Sequence, residues 1–173
     1  MADFFESITD EQADLIETAS LFFVASADPQ LTSDIKGAGP VNISPKGGVK
    51  LHIIDRNHVA YLDYTGSGNE TARHALAGGP ITIMTVAFDA TNAAIVRLYG
   101  TASVTALADS PLADLLLATS TSEINLPERQ VIEIHIDKTM TSCGYGVPVM
   151  EFIQERTTGQ RGRRYKLRKV ATS

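Results

Sequence analysis

Residues 61–74 read Tyr-Leu-Asp-Tyr-Thr-Gly-Ser-Gly-Asn-Glu-Thr-Ala-Arg-His, which predicts a strand, a short loop and a helix in succession. The apolar, β-prone run His58–Tyr64 leads into two glycines, which permit positive φ and close backbone approach. Ser67 and Glu70 have the spacing of a capping box, so we expect a helix over Glu70–Leu76. The N–H groups of this loop and the positive end of the helix dipole favour a bound anion such as a phosphate. A well-capped turn without a ligand is the alternative.

Further strands are predicted on both sides of this stretch by apolar runs and by alternation of apolar and polar residues. They are Leu21–Ala27, Val41–Ser44, Val49–Ile54, Ile81–Phe88, Ala93–Thr105 (with a bulge or bend at Gly100) and Val131–Met140. Two more helices are expected, at Asp10–Ala19 and from Ser110–Pro111 to Ala118. Because most strands follow one another through turns, the pattern predicts a mainly β (α+β) barrel or sandwich and not a doubly wound dinucleotide fold.

Composition narrows the class of protein. The 173 residues are 43% hydrophobic and carry a net charge of -5. Up to Met150 there are 8 Lys and Arg against 18 Asp and Glu, a balance of -10, whereas the remainder carries 7 against 2, a balance of +5. An acidic body does not suit nucleic-acid binding. From the change in charge along the chain we predict a domain at 1–155 and a basic tail at 156–173. One cysteine excludes an internal disulfide, and without a signal sequence or a membrane-length apolar run we expect a cytoplasmic protein.

Polar residues of a second stretch complement the loop. Alternation places Asn42, Ser44 and Lys46 on one face of a strand, and these side chains and the loop 65–70 together offer what a phosphate requires. A polar strand face unrelated to the loop is the alternative. Arg97 lies among apolar residues, so its charge needs a carboxylate on a neighbouring strand, a cluster of carbonyl groups or a ligand phosphate. The four histidines have no metal-ligand spacing, which argues against a metal site.

Four segments occur in the order seen in one family: Asn42–Gly47, Tyr61–Thr71, Arg97–Gly100 and Ser142–Pro148. On these segments the chain resembles the pyridoxamine 5'-phosphate oxidase-like family of FMN-binding split barrels, and in particular its short uncharacterised members. The resemblance implies a six-stranded antiparallel split β-barrel with flanking helices. It also implies a homodimer with FMN at the subunit interface.

The resemblance implies cofactor contacts from β-strand and loop positions. They are Asn42, Ile43, Ser44, Lys46, Asp63, Tyr64, Thr65, Gly66, Ser67, Gly68, Asn69, Arg73 and Arg97. Ser67 is followed by Gly68 and Asn69, where pyridoxamine phosphate oxidases carry Arg-Lys. The cation for the phosphate must therefore come from elsewhere, with Lys46, Arg73 and Arg97 as candidates, and the change counts against pyridoxamine phosphate oxidation itself.

The implied function is that of an FMN-binding flavoprotein and oxidoreductase acting on an unidentified small molecule. No residue of the sequence stands out as a catalytic acid or base. A flavin carries the redox step itself, so the protein need not supply one. Two alternatives stay open: a non-catalytic flavin or haem binding or sensor protein, and a deazaflavin (F420)-dependent reductase on the same barrel.

Overall fold

A computed structural model describes residues 2–32, 39–64, 68–119 and 128–156. Its elements are β1 (Ala2–Phe5), α1 (Asp10–Thr18), β2 (Leu21–Ala27), β3 (Val41–Gly47), β4 (His52–Asp55), β5 (His58–Tyr64), α2 (Glu70–Leu76), β6 (Ile81–Val86), β7 (Ala94–Ala106), a 3-10 turn (Leu107–Asp109), α3 (Ala113–Ala118) and β8 (Glu128–Cys143). None of these helices is long and apolar enough to span a membrane. The boundary between 1–155 and the basic tail stays a prediction, because residues 157–173 lie outside the described part.

All strand pairs are antiparallel, in the order β3-β2-β6-β7-β8-β5-β4, and β1 also pairs with β8. The predicted mainly β class is confirmed, but the sheet has eight strands where the resemblance implied six. The length of β8 explains part of the difference. Its 16 residues allow one edge to pair with β5 over its first half and with β1 near its end.

The sheet curls so that one face becomes the interior of a barrel. Alternate residues of the strands fill that interior, as period-two patterning requires. Phe22, Val24, Tyr61, Ile83, Leu98, Ile132 and Ile134 are its buried centre. Helices α1 and α2 close the barrel with Leu15, Ile16, Ala72 and Ala75. A smaller apolar cluster around Leu62 and Leu116 packs α3 against the opposite face of β5 and β8.

The two ends of the sheet do not pair with each other. Within the described ranges, β3 hydrogen-bonds only to β2, and β4 only to β5. β3 also runs further than predicted, since Pro45, Lys46 and Gly47 continue the strand and Gly48, with φ 74°, turns the chain. An edge strand tolerates proline because one side of its backbone needs no ladder partner.

The sequence predicted the start of α1 correctly, but not that of α3. Thr9 caps α1 in the capping-box form that the sequence Thr9-Asp10-Glu11-Gln12 indicates, since its hydroxyl accepts from the Gln12 backbone and the Gln12 side chain accepts from the Thr9 backbone. Pro111 was expected at the first position of a helix, but α3 begins at Ala113. The Ser110 hydroxyl accepts a hydrogen bond from the Leu112 backbone, which holds Pro111 in a turn before the helix.

The predicted irregularity at Gly100 is confirmed. The register between β7 and β8 shifts between Tyr99 and Gly100, which leaves Asp137 as an extra residue on β8. The two backbones approach so closely that a Cβ built on Gly100 would collide with the carbonyl oxygen of His135. Glycine is therefore required at this bulge for the longest strand pair of the barrel.

We expect Gly100→Ala to lower the free energy of unfolding by about 1 to 3 kcal/mol, the usual cost of overpacking a rigid site. Gly146→Ala is the matched control, because a Cβ there meets no atom within 4 Å. Urea denaturation of both variants checks the prediction. Equal midpoints for the two would contradict it.

Candidate functional site

A cluster of polar side chains lies at the end of the barrel where β3 approaches β5. The Nζ of Lys46 is 2.8 Å from Oδ1 of Asp63, so an ion pair joins two strands that share no backbone hydrogen bond. The Lys46 and Asp63 side chains are 20% and 12% exposed, which screens the pair less than an open surface would. Lys46 also lies over the ring of the buried Tyr61, 5.4 Å from its centroid.

Gln130 extends this cluster towards α2. Its Nε2 donates to Asp63 Oδ2 at 2.9 Å and to Asn69 Oδ1 at 2.8 Å. Asp63 and Gln130 are both buried, so these hydrogen bonds satisfy groups that would otherwise be costly to desolvate. The end of β5, the start of β8 and the residue before α2 are thereby fixed to one another.

Arg129 contacts the same segment from an irregular position on β8. Its Nη1 donates to Asn69 Oδ1 at 2.8 Å and to the Gly68 carbonyl at 3.0 Å. Neighbouring residues of a regular strand point to opposite faces, yet Arg129 and Gln130 both reach Asn69. A register shift explains this: Asp63 pairs with Gln130 and Tyr64 with Glu128, which leaves Arg129 as the extra residue of a bulge. We call Lys46, Asp63, Asn69, Arg129 and Gln130 the barrel-mouth cluster.

A second set of polar contacts joins β3 to α2. Asn42 Nδ2 lies 3.1 Å from both Ser44 Oγ and Thr71 Oγ1. Beneath it, buried Ser26 and His74 are 2.9 Å apart, Oγ to Nδ1, and connect β2 to α2. These bonds hold the amide of Asn42 and the hydroxyl of Ser44 beside the barrel-mouth cluster, on the side chain face predicted from the alternation in β3.

The chemistry of this region is that of binding rather than of proton transfer. It offers an ammonium, a guanidinium, amides and hydroxyls, which together suit a polar ligand carrying negative charge. Burial, and to a smaller extent the Asp63 carboxylate, raise the pKa of the Tyr61 phenol far above its usual value. Tyr61 therefore stays neutral and serves as packing beneath Lys46.

The structure brings together six of the thirteen residues named from the sequence. Asn42, Ser44, Lys46, Asp63, Gly68 and Asn69 lie in this region. Ile43 is 67% exposed on the opposite face of β3, and Tyr64 packs against the smaller apolar cluster. Thr65, Gly66 and Ser67 lie outside the described residues.

The other two candidate cations lie on α2 and on the outer face of β7. Arg73 is on the exposed side of α2, with Nη2 3.9 Å from Glu70 Oε1. Arg97 pairs in register with Met84, whereas the strand position aligned with Lys46 is Val96, so Arg97 lies on the opposite face of the sheet. Its Nη1 donates to Ser142 Oγ at 3.2 Å, which is a hydroxyl where a carboxylate was expected.

The start of α2 differs from the predicted capping box. Its N-cap is Asn69, not Ser67, and the Asn69 side chain makes no capping hydrogen bond. The Asn69 oxygen is used by Arg129 and Gln130 instead. The Glu70 carboxylate folds back over Gly68, where a Cβ would collide with it.

Arg129, Gln130 and Thr71 are the site residues that the sequence did not reveal. The predicted strand began at Val131, after a polar stretch without alternation. The bulge opposite the end of β5 turns both Arg129 and Gln130 towards Asn69. Such a bulge depends on the pairing of two strands that are distant in the sequence, so the local sequence does not reveal it.

A cleft of about 620 Å³ opens beside β3, on the face opposite the Lys46 side chain. Its apolar walls come from Leu21, Pro45, Phe88, Met150 and Phe152. The chain returns to this edge because the Met150 backbone N–H donates to the Phe88 carbonyl at 3.0 Å. The volume is in the range of sites for small organic molecules.

Comparison with known proteins gave relatives in sequence and in structure, while no protein-family model matched. The chain is 34% identical over 162 residues to the pyridoxamine 5'-phosphate oxidase family protein ustO of Aspergillus flavus, covering 92% of this chain and 61% of that protein. It thus spans about three fifths of that relative's length.

Two solved structures have the same fold. HupZ of Group A Streptococcus aligns with a TM-score of 0.57 and 26% identity, over 76% of this chain and 91% of that one. A Lactobacillus delbrueckii protein described as a candidate pyridoxamine 5'-phosphate oxidase aligns with a TM-score of 0.55 and 21% identity, over 78% of this chain and 94% of that one. The split-barrel class predicted from the sequence is confirmed by these likenesses.

We expect Gln130→Leu to lower the free energy of unfolding by about 1 to 3 kcal/mol, because it removes the Gln130 donor from Oδ2 of the buried Asp63 and one of the two donors from Asn69 Oδ1. Gln30→Leu is the control, since that side chain is exposed in a loop. Chemical denaturation measures both. A loss of stability no larger than that of the control would mean that water satisfies these oxygens equally well.

Proposed function

Because the chain belongs to the pyridoxamine 5'-phosphate oxidase-like family, we propose that it is an FMN-binding flavoprotein carrying out redox chemistry on a small molecule. The observation that carries the proposal is the barrel-mouth cluster. It joins β3, the residues Asp63 and Asn69, and the start of β8. The first two were assigned to the cofactor from the sequence alone, before any contact between them was known.

The donor set fits the parts of FMN. A phosphate dianion requires cations and N–H or O–H donors, and Arg129 and the neighbouring Asn69 amide offer them. A ribityl chain and the polar edge of an isoalloxazine ring require donors and acceptors of mixed kind, such as Asn42, Ser44 and Lys46. These residues are already held by hydrogen bonds within the chain, so little ordering is needed on binding.

When bound, the flavin supplies the redox chemistry, accepting or donating a hydride or electrons. The chain's own residues bind and orient it, with Lys46 held by Asp63 and the Asn42 amide held by Thr71. No side chain in this part of the structure is placed as a general acid or base.

The proposal does not extend to pyridoxamine phosphate oxidation. Gly68 and Asn69 stand where the loop of those oxidases carries two cations. A cytoplasmic location stays a prediction of the sequence.

We further propose that the protein is a homodimer with the cofactor at the interface. Strand register aligns one row of outward-facing residues across six strands: Pro45, Phe23, Met84, Arg97, Met140 and Phe4. Phe4 is 58% exposed and Ile43, beside this row, 67% exposed. A largely apolar row on the outer face of a sheet is typical of a protein interface. A second copy would cover it and place the Arg97 guanidinium within the interface.

We expect the purified protein to be yellow, and heat to release FMN that chromatography identifies. A haem Soret band or a deazaflavin spectrum would instead favour one of the alternative cofactors. A colourless protein that takes up no added FMN would overturn the proposal.

Replacing Lys46 tests the contribution of β3 to FMN binding. We expect Lys46→Gln to raise the Kd for FMN about tenfold, through loss of a charge-assisted contact. Lys50→Gln is the control, because this substitution removes the same charge from an exposed lysine. Fluorescence titration of apoprotein gives both constants, and equal values would remove Lys46 from the cofactor site.

We expect wild-type protein to be dimeric by light scattering, and Phe4→Glu to raise the dimer dissociation constant at least about tenfold by placing a carboxylate in an apolar contact. Leu76→Glu is the control, an exposed leucine on the outer side of α2. A wild-type monomer with a full complement of FMN would contradict the dimer proposal.

A further inference from the structure

The charge balance around Gly68 raises the question of which side chain neutralises an anionic ligand there. Asp63 engages Lys46 at 2.8 Å, and the Glu70 carboxylate folds over Gly68. Two carboxylates therefore flank the segment. A phosphate dianion is costly to hold beside them unless a further cation is close.

Two of the cations named from the sequence are engaged with these carboxylates: Lys46 pairs with Asp63, and Arg73, on the exposed side of α2, lies 3.9 Å from Glu70. The third, Arg97, is on the other face of the sheet. A further cation, Arg129, contacts the segment at its other end, with Nη1 3.0 Å from the Gly68 carbonyl and 2.8 Å from Asn69 Oδ1.

We propose that Arg129 is the residue that recognises the phosphate of the bound flavin, and so discriminates FMN from riboflavin. The inference rests on the proposed function and deepens it, since it assigns the ligand's anionic end to a residue outside the Asp63–Asn69 segment.

The bulge is the independent observation that supports this role. A regular register would direct Arg129 and Gln130 to opposite faces of β8. The extra residue between the Asp63 and Tyr64 pairings turns Arg129 towards Asn69, where bulges commonly re-aim a side chain beside a binding site.

Guanidinium chemistry permits both tasks at once. The group carries five N–H donors in a rigid fork, and its contacts with Gly68 and Asn69 are made by Nη1. Arginine can donate to several acceptors at once, so it can both hold this segment and donate to a phosphate oxygen, a combination that lysine reproduces less well. Gln130 keeps the Asn69 amide in place for this contact by donating to the same oxygen.

The test compares two ligands that differ only in the phosphate. For Arg129→Gln, which keeps hydrogen-bonding capacity but loses the charge, we expect the Kd for FMN to rise about 10- to 100-fold. The Kd for riboflavin should change less than about twofold, because no phosphate is present to lose its partner. Arg129→Lys should recover part of the FMN affinity. Arg56→Ala, an exposed arginine near the β4–β5 turn, is the control for loss of one positive charge.

The outcomes separate the inference from its premise. Equal weakening of FMN and riboflavin binding by Arg129→Gln would mean that Arg129 only holds the segment, and no change in either would mean that it has no part in binding; both overturn the inference while flavin binding stands. Wild-type protein that binds neither ligand overturns the proposed function and this inference with it. If Arg129→Gln does not fold, the ratio of the two constants in Arg129→Lys decides, since a residue that only holds the segment would leave that ratio unchanged.

Discussion

The ion pair between Lys46 and Asp63 is the constraint on which the arrangement of the site depends. β3 and β5 lie near opposite ends of the sheet order, and the backbone does not join them in the described part of the chain. The charged side chains span the gap, with Gln130 as the second partner of Asp63. Such a pair contributes modest net stability but fixes geometry strongly, because a charge shielded from water is costly without its partner. The barrel is thus held at its open side by the same side chains that face the candidate ligand.

Irregularities of β8 give the site its shape. A strand of 16 residues in regular pairing would twist uniformly and alternate without interruption. Two register shifts interrupt it, one opposite Gly100 and one at Arg129. The first allows β7 and β8 to approach closely at mid-length, and the second turns two consecutive side chains to one atom of Asn69. Both register shifts are local, but their effect on side-chain direction follows only from the pairing of strands that are distant in the sequence.

Much of the fold could be predicted from the sequence because local signals were strong. β2 and β5 have the predicted bounds, since both are short apolar runs that end at residues unsuited to strands. Alternation in β3 placed Asn42, Ser44 and Lys46 on one face correctly. The contributions of Arg129 and Gln130 could not be predicted, because they depend on register between strands some 65 residues apart along the chain. Arg97 shows the same limit: its apolar neighbours indicated partial burial, but the face of the sheet follows only from pairing.

Pro45 has a consequence for how this protein avoids unwanted assembly. An open sheet edge presents a row of donors and acceptors that can recruit a strand from another chain, the first step towards domain swapping or amyloid-like growth. Proline at the middle of β3 removes one donor, and its ring obstructs a further strand. Copies of the chain are therefore directed away from edge-to-edge growth, which has no natural end.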